Sequence, residues 1–212
     1  YIKNCNRRNI KVFLPSVNYS RDDFVATEEG IYYSFLGIMN LGALTLASLL
    51  EERDKNGFYQ SYDEFISRTK DILNKRVVES MIYAGALDCF QIPRKQMVLE
   101  YDTSLELANY GAILKGKLSE HVFKEEEYSF EEISRLEREY LGFNLKYDIF
   151  MKYPNIKEKY KTLSISDLIV GQKQKVLFVI ERIKVIKTKK NEEMAFLEIN
   201  DDMDTIDAVL FP

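Results

Sequence analysis

Leu36-Gly37-Ile38-Met39-Asn40-Leu41-Gly42-Ala43 and Met81-Ile82-Tyr83-Ala84-Gly85-Ala86-Leu87 obey one rule. In each, an apolar helix runs into a tight glycine-containing turn and a second apolar segment follows. The two turns lie about 43 residues apart. The spacing predicts a helix–hairpin–helix in each case. Such a turn aims unpaired backbone N–H groups outward beside the positive end of the second helix. That arrangement suits an anion, a phosphate above all, and reads no base.

The first hairpin carries the stronger signal. Gly42 is expected to supply left-handed backbone and to let a phosphate approach closely. Asn40 stands where another glycine is common, and Asn is the next best residue in that conformation. Leu41 is expected to plug back between the helices, leaving the N–H groups of Ala43 and Leu44 at the helix start. A single copy reads more readily as a packing unit with a C-cap glycine, and it is the repeat that points to nucleic acid. Gly85 is the candidate contact of the second turn, which has one glycine and no basic residue and so also fits a structural support for the first. Lys75, Arg76, Arg94 and Lys95 flank that second unit. They are candidate phosphate contacts, or simply a solvated helix surface.

Outward from the hairpins, the chain divides by pattern. Ile10–Leu14 is strand-like and Pro15 stops it. Gly30 opens a mostly helical stretch. Ser61 with Glu64, and Ser129 with Glu132, have capping-box spacing, and Asn74 can cap a helix whose inner face is Val77, Val78, Met81 and Ile82. Pro93 suits a first helical position before Met97–Leu107. Residues 109–128, with Gly111, Gly116 and a Glu125–Glu127 run, are the best linker candidate. From Gly171 the period changes to strand. Val176–Ile186, Met194–Ile199 and Thr205–Phe211 are three candidates with polar turns between them. The expected fold class is α+β, a mainly helical tandem-hairpin domain followed by a truncated antiparallel β segment like the start of an OB-fold, which has five strands.

The 212-residue chain is 46% hydrophobic and 30% charged, which suits a folded protein. No run approaches a membrane span. It begins with Tyr1 and ends at Phe211-Pro212 straight out of a strand-like run, so a piece of a longer polypeptide is expected. Cys5 and Cys89 have no metal-ligand spacing and read as reduced packing residues, hence a cytoplasmic location. A single histidine argues against His-based catalysis. Net charge is −4, but Lys184, Lys187, Lys189 and Lys190 cluster in the β segment, as Lys3, Arg7, Arg8 and Lys11 do at the start. Such local basic stretches fit modular contacts with nucleic acid, or ordinary solvated faces. Asp22-Asp23, Asp201-Asp202 and Asp204 invite a two-metal reading, but turn chemistry explains them. No catalytic constellation is present. Leu118–Phe123 ends in the pair Val122-Phe123, an anchor for a partner's pocket or for the chain's own helices.

An ordered series of segments resembles the bacterial replicative DNA polymerase III alpha subunit. It runs Asn6-Arg7-Arg8-Asn9-Ile10-Lys11-Val12, Pro15, Val17-Asn18, Gly30-Ile31 and Asn40-Leu41-Gly42. It continues through Asn74-Lys75-Arg76, Ala84–Asp88, Glu137–Phe143 and Met194-Ala195-Phe196. The resemblance is to the shorter class, which lacks a built-in proofreading nuclease. It implies the end of the fingers over residues 1–29 and a tandem helix–hairpin–helix DNA-binding domain over 30–108. A linker with a clamp-binding peptide follows at 109–128, then a helical connector at 129–170 and a partial OB-fold at 171–212. Double-stranded and single-stranded DNA, the sliding clamp and other replisome subunits are the implied partners. The clamp peptide maps to Ser119, His121, Val122 and Phe123, where Ser119 replaces the usual glutamine and weakens the expected contact. The palm aspartates would lie outside these residues, so no cofactor is expected in this segment, Mg2+ is expected in the parent polymerase, and the segment alone is expected to be inactive. Two rivals remain: a protein-interaction module with little DNA affinity, and part of another hairpin-and-OB enzyme such as a ligase. The order of modules and the missing nucleotidyl-lysine motif argue against the latter.

Overall fold

The computed structural model describes Cys5 and residues 8–114, 126–146, 149–153, 155–201 and 204–212. The chain forms two compact units, residues 1–147 and 148–212. Both helices and small sheets are present, so the fold is α+β.

In the first unit, β1 (Val12–Phe13) pairs in parallel with β3 (Ile31–Tyr32), and β2 (Val25–Ala26) pairs antiparallel with β3. Gly30 therefore enters a strand and not a helix. Its φ of +153° brings the backbone so close to Lys11 that an added Cβ would lie 2.4 Å from the Lys11 carbonyl oxygen. Five helices follow: α1 (Ala43–Asn56), α2 (Tyr62–Thr69), α3 (Lys75–Tyr83), α4 (Arg94–Leu114) and α5 (Phe130–Leu141). Their starts match the capping signals. Ser61 accepts from the Glu64 N–H, Asn74 from the Val77 N–H, and Ser129 with Glu132 closes a reciprocal capping box. Helix α4 continues through Gly111 to Leu114, inside the stretch read as a linker.

The inner faces of these helices bury Phe35, Leu46, Leu49, Phe65, Met81, Ile82, Leu87 and Met97 in one core. Each such side chain contributes about 1.5–3 kcal/mol by leaving water. A polar network ties α1 to α2. Glu52 accepts from Arg68 Nε at 2.8 Å and from the Tyr59 hydroxyl, and Arg68 also reaches Glu64 at 2.9 Å. Burial alone would raise the Glu52 carboxyl, but the hydrogen bonds from Arg68, Tyr59 and Asn56 outweigh it and hold the group below its ordinary value of 4.5. A depressed carboxylate stabilises the fold above that ordinary value, and the benefit is lost as pH falls through the lowered one. Glu52→Gln should therefore cost about 2 kcal/mol at pH 7 and flatten the acid limb, read as urea midpoints between about pH 7 and 3.

In the second unit, β4 (Val179–Lys187), β5 (Glu193–Asn200) and β6 (Thr205–Leu210) form an antiparallel meander. A short helix, α6 (Ile156–Tyr160), precedes them. The three expected strands are present within a few residues of their predicted bounds. Register places Ile183 opposite Leu197 and Leu197 opposite Ala208, so one face is apolar; Lys184, Phe196 and Val209 line up on the other. Buried Asp201 accepts from the Asp204 N–H within its own turn and from the Ile165 N–H far back in the chain.

Candidate nucleic-acid interface

The first hairpin is built differently from its expected form. A single 3-10 turn, Phe35–Gly37, leads into it in place of a full helix. Ser34 caps that turn by accepting from the Leu36 N–H. The left-handed residue is Asn40, with φ +66°. Gly42 has φ −74° and ψ 155°, an extended conformation open to any residue, so left-handed backbone is not its role. Gly42 is instead the N-cap of α1, and nothing lies within 4 Å of where its Cβ would be. Leu41 is buried as a plug, while Leu44 is 87% exposed.

Two contacts hold this corner from behind. The Asn40 side-chain amide donates to Ser80 Oγ at 2.9 Å, and Ser80 donates on to the Arg76 carbonyl oxygen at 2.8 Å. The Met39 N–H donates to the Tyr140 carbonyl oxygen at 2.8 Å. Ahead of it, the N–H groups of Gly42, Ala43, Leu44 and Thr45 make no hydrogen bond among the described residues. These four donors converge at the positive end of a 14-residue helix. Arg76, exposed and unpaired among the described residues, sits on the helix that anchors Asn40. Its charge also acts on the Tyr140 hydroxyl, which burial holds above its usual range. The structure thus brings Asn40, Leu41, Gly42, Ala43, Leu44 and Arg76 into one neighbourhood.

The second turn is closed, and this corrects the candidacy of Gly85 and Arg94. Gly85 is buried at φ +81°, and an added Cβ would lie 2.3 Å from Arg94 Nη2 and 2.7 Å from Leu14 Cδ1. Arg94 is 1% exposed. Its Nε and Nη2 grip the Asp88 carboxylate at 2.8 and 2.9 Å, and Nη1 donates to the Tyr83 carbonyl oxygen. A guanidinium so placed clamps the turn and offers nothing to solvent. The start of α4 is filled as well: Glu127 accepts from the Arg94 N–H at 2.9 Å and the Lys95 N–H at 3.4 Å. A carboxylate of the chain occupies the position an anion would take, a role sequence reading missed because the partners stand more than thirty residues apart. Lys75 is drawn to Asp102 at 2.7 Å, and that hydrogen bond raises its amine above the ordinary value.

Elsewhere, Lys184 and Lys187 are exposed on β4, three positions apart and so on opposite faces, and Lys189 and Lys190 are exposed in the β4–β5 turn. Ser119, His121, Val122 and Phe123 lie outside the described residues. Cys5 and Cys89 are free thiols; Cys5 is half-buried, and Cys89 is exposed as a residue although burial pushes its thiol up to about 11. Among the described residues no group of three His, Cys, Asp or Glu side chains converges to hold a metal, and no helix is long and apolar enough to cross a membrane.

A donor-rich corner at the start of one helix, with a second, closed turn in the same unit, is the arrangement of a helix–hairpin–helix motif. The helix-hairpin-helix motif family model matches residues 9–97. Across its full length the chain is 31% identical to the DNA polymerase III subunit alpha of Borreliella burgdorferi, and 30% and 29% identical to those of Staphylococcus epidermidis and Staphylococcus aureus. It spans 20% of the length of each. Over its whole length the chain is therefore similar to one segment of the DNA polymerase III alpha subunits.

Proposed function

We propose that this chain is a DNA-holding segment of a bacterial replicative DNA polymerase. It grips the duplex backbone through the free amides of Gly42–Thr45, with Arg76 beside them as a solvated cation. The observation that carries this reading is the contrast between the two hairpins. One helix start is filled by Glu127, and its counterpart at α1 is uncapped and open. The β-meander, whose outer face aligns Lys184 with Phe196, is suited to track single-stranded template as part of an OB-fold. Lys189 and Lys190 in the β4–β5 turn add charge beside that face, and Lys187 lies on the opposite one. Phosphate contact without base contact makes the grip independent of sequence and strongly dependent on salt.

The parent protein would be a cytoplasmic DNA-directed DNA polymerase using deoxynucleoside triphosphates and Mg2+. Docking on the sliding clamp through Ser119–Phe123 and contact with other replisome subunits belong to the same reading. The 212 residues alone should not extend a primer. The test is fluorescence anisotropy with duplexes of two unrelated sequences from low to high salt. Equal affinities that fall steeply with salt are expected; strong preference for one sequence, or affinity indifferent to salt, would refute the grip.

A further inference from the structure

A second cation-bearing feature lies near the other end of α1. Arg53 is 4% exposed, yet among the described residues no carboxylate hydrogen-bonds to it, and Asp54 acts on it only through its charge. Its Nη1 donates to the carbonyl oxygens of Val17 and Ser20 at 2.9 and 2.8 Å; Nε and Nη2 have no hydrogen bond among the described residues. A buried guanidinium without an anion is costly unless something completes it. It lines an open cleft of about 350 Å³. On the rim, Arg21 pairs with Asp54 at 2.7 Å, both side chains about half exposed. Burial pulls the Arg53 pKa below the ordinary arginine value and the Arg21 charge adds to that, so two cations face the same space.

The walls are aromatic. Tyr19 and Phe58 meet edge to face with centroids 5.2 Å apart, and they are 44% and 49% exposed. The Asn18 side chain exchanges hydrogen bonds with both backbone groups of Tyr59, at 3.0 and 2.9 Å, which pins the Phe58 wall. Paired guanidiniums beside exposed rings are the chemistry that takes a phosphate and stacks a base.

We propose that this cleft binds one nucleotide unit, its phosphate on Arg53 and Arg21 and its base against Phe58 and Tyr19. The source is a free deoxynucleoside monophosphate or the 5′-phosphorylated end of a strand. Asp54 tempers the site, because it occupies Arg21 and adds a negative charge to the rim.

Arg53 variants are poor probes, since its Nη1 also satisfies two buried carbonyls. The rim pair therefore carries the test. The whole chain is titrated with inorganic phosphate, dTMP and a 5′-phosphorylated dithymidine, followed by amide chemical shifts. Saturable shifts at Asn18, Tyr19, Gly57 and Phe58 are expected, with dTMP tighter than phosphate. Arg21→Ala should weaken dTMP about 5–10-fold and Asp54→Asn should tighten it several-fold. Equal affinity for dTMP and the dinucleotide assigns a free nucleotide, and tighter dinucleotide assigns a strand end; both support the cleft. Absence of saturable shifts, phosphate binding as tightly as dTMP, or an unchanged affinity in Asp54→Asn overturns the proposal. Repeating the titration in a Gly42→Asp background separates it from the hairpin grip, because the cleft should bind unchanged whether or not that variant alters duplex affinity.

Discussion

Arg94→Met should destabilise the first unit by about 3–5 kcal/mol, the cost of breaking a buried ion pair by removing one partner. The guanidinium holds Asp88 through two nitrogens and the Tyr83 carbonyl oxygen through the third. All three bonds close around Gly85, whose neighbours Ala84, Ala86 and Leu87 are fully buried. Methionine keeps the bulk and removes every donor. Among the described residues Asp88, itself a quarter exposed, would retain Lys146 at 3.3 Å, so the acid would be left poorly compensated. Gly85→Val should cost a similar amount for a different reason. It adds side-chain atoms where a Cβ alone would meet Arg94 Nη2 at 2.3 Å, at a φ of +81° that a β-branched residue avoids. Urea denaturation at neutral pH checks both. A loss under 1 kcal/mol in Arg94→Met would mean that apolar packing, and not the ion pair, closes the turn.

Gly42→Asp should move stability and DNA affinity in opposite directions. The backbone of Gly42 already has N-cap angles, φ −74° and ψ 155°, with no side-chain cap in place. Aspartate there can accept from the free N–H groups of the first turn, and its charge suits the helix start. A gain of a few tenths to about 1 kcal/mol is expected. The same carboxylate would fill the open corner much as Glu127 fills the start of α4, and would repel a phosphate. Duplex affinity should fall about 10-fold or more at low salt. Ala43→Pro is the neutral companion. Proline is welcome at the first helical position, and the extended Gly42 before it is compatible. It deletes one donor without adding charge, so a smaller loss is expected. A more stable Gly42→Asp chain with unchanged duplex binding would return this hairpin to a purely structural role. Asn40→Pro, by contrast, would be uninformative, because φ +66° is closed to proline and the turn itself would break.

What was legible in the sequence was local. Ser61, Asn74 and Ser129 announce helices through hydrogen bonds spanning three residues, and all three make them. The β-meander was legible because β-branched runs between polar turns have few alternatives. The lead-in to Asn40 was misjudged because Leu36–Leu41 spans barely more than one helical turn, too short for periodicity to separate an α-helix from a 3-10 turn. Long-range pairing was invisible. Arg94 looked like a surface cation, although Asp88 six residues earlier was an available clue. Glu127 looked like part of an acidic run, and nothing nearby in the chain indicates that it seals the start of α4.

Asn40 is clipped to Ser80 and Met39 to Tyr140, so the α1 corner has little freedom left to surrender when something docks there. Preorganisation of this kind lowers the entropic toll of each encounter. A holder that recognises only the repeating charge of a backbone, and needs no remodelling to do so, can let go and re-engage one step along. On the proposed reading, that is the behaviour a component travelling with a moving template would need, never settling at one address on it.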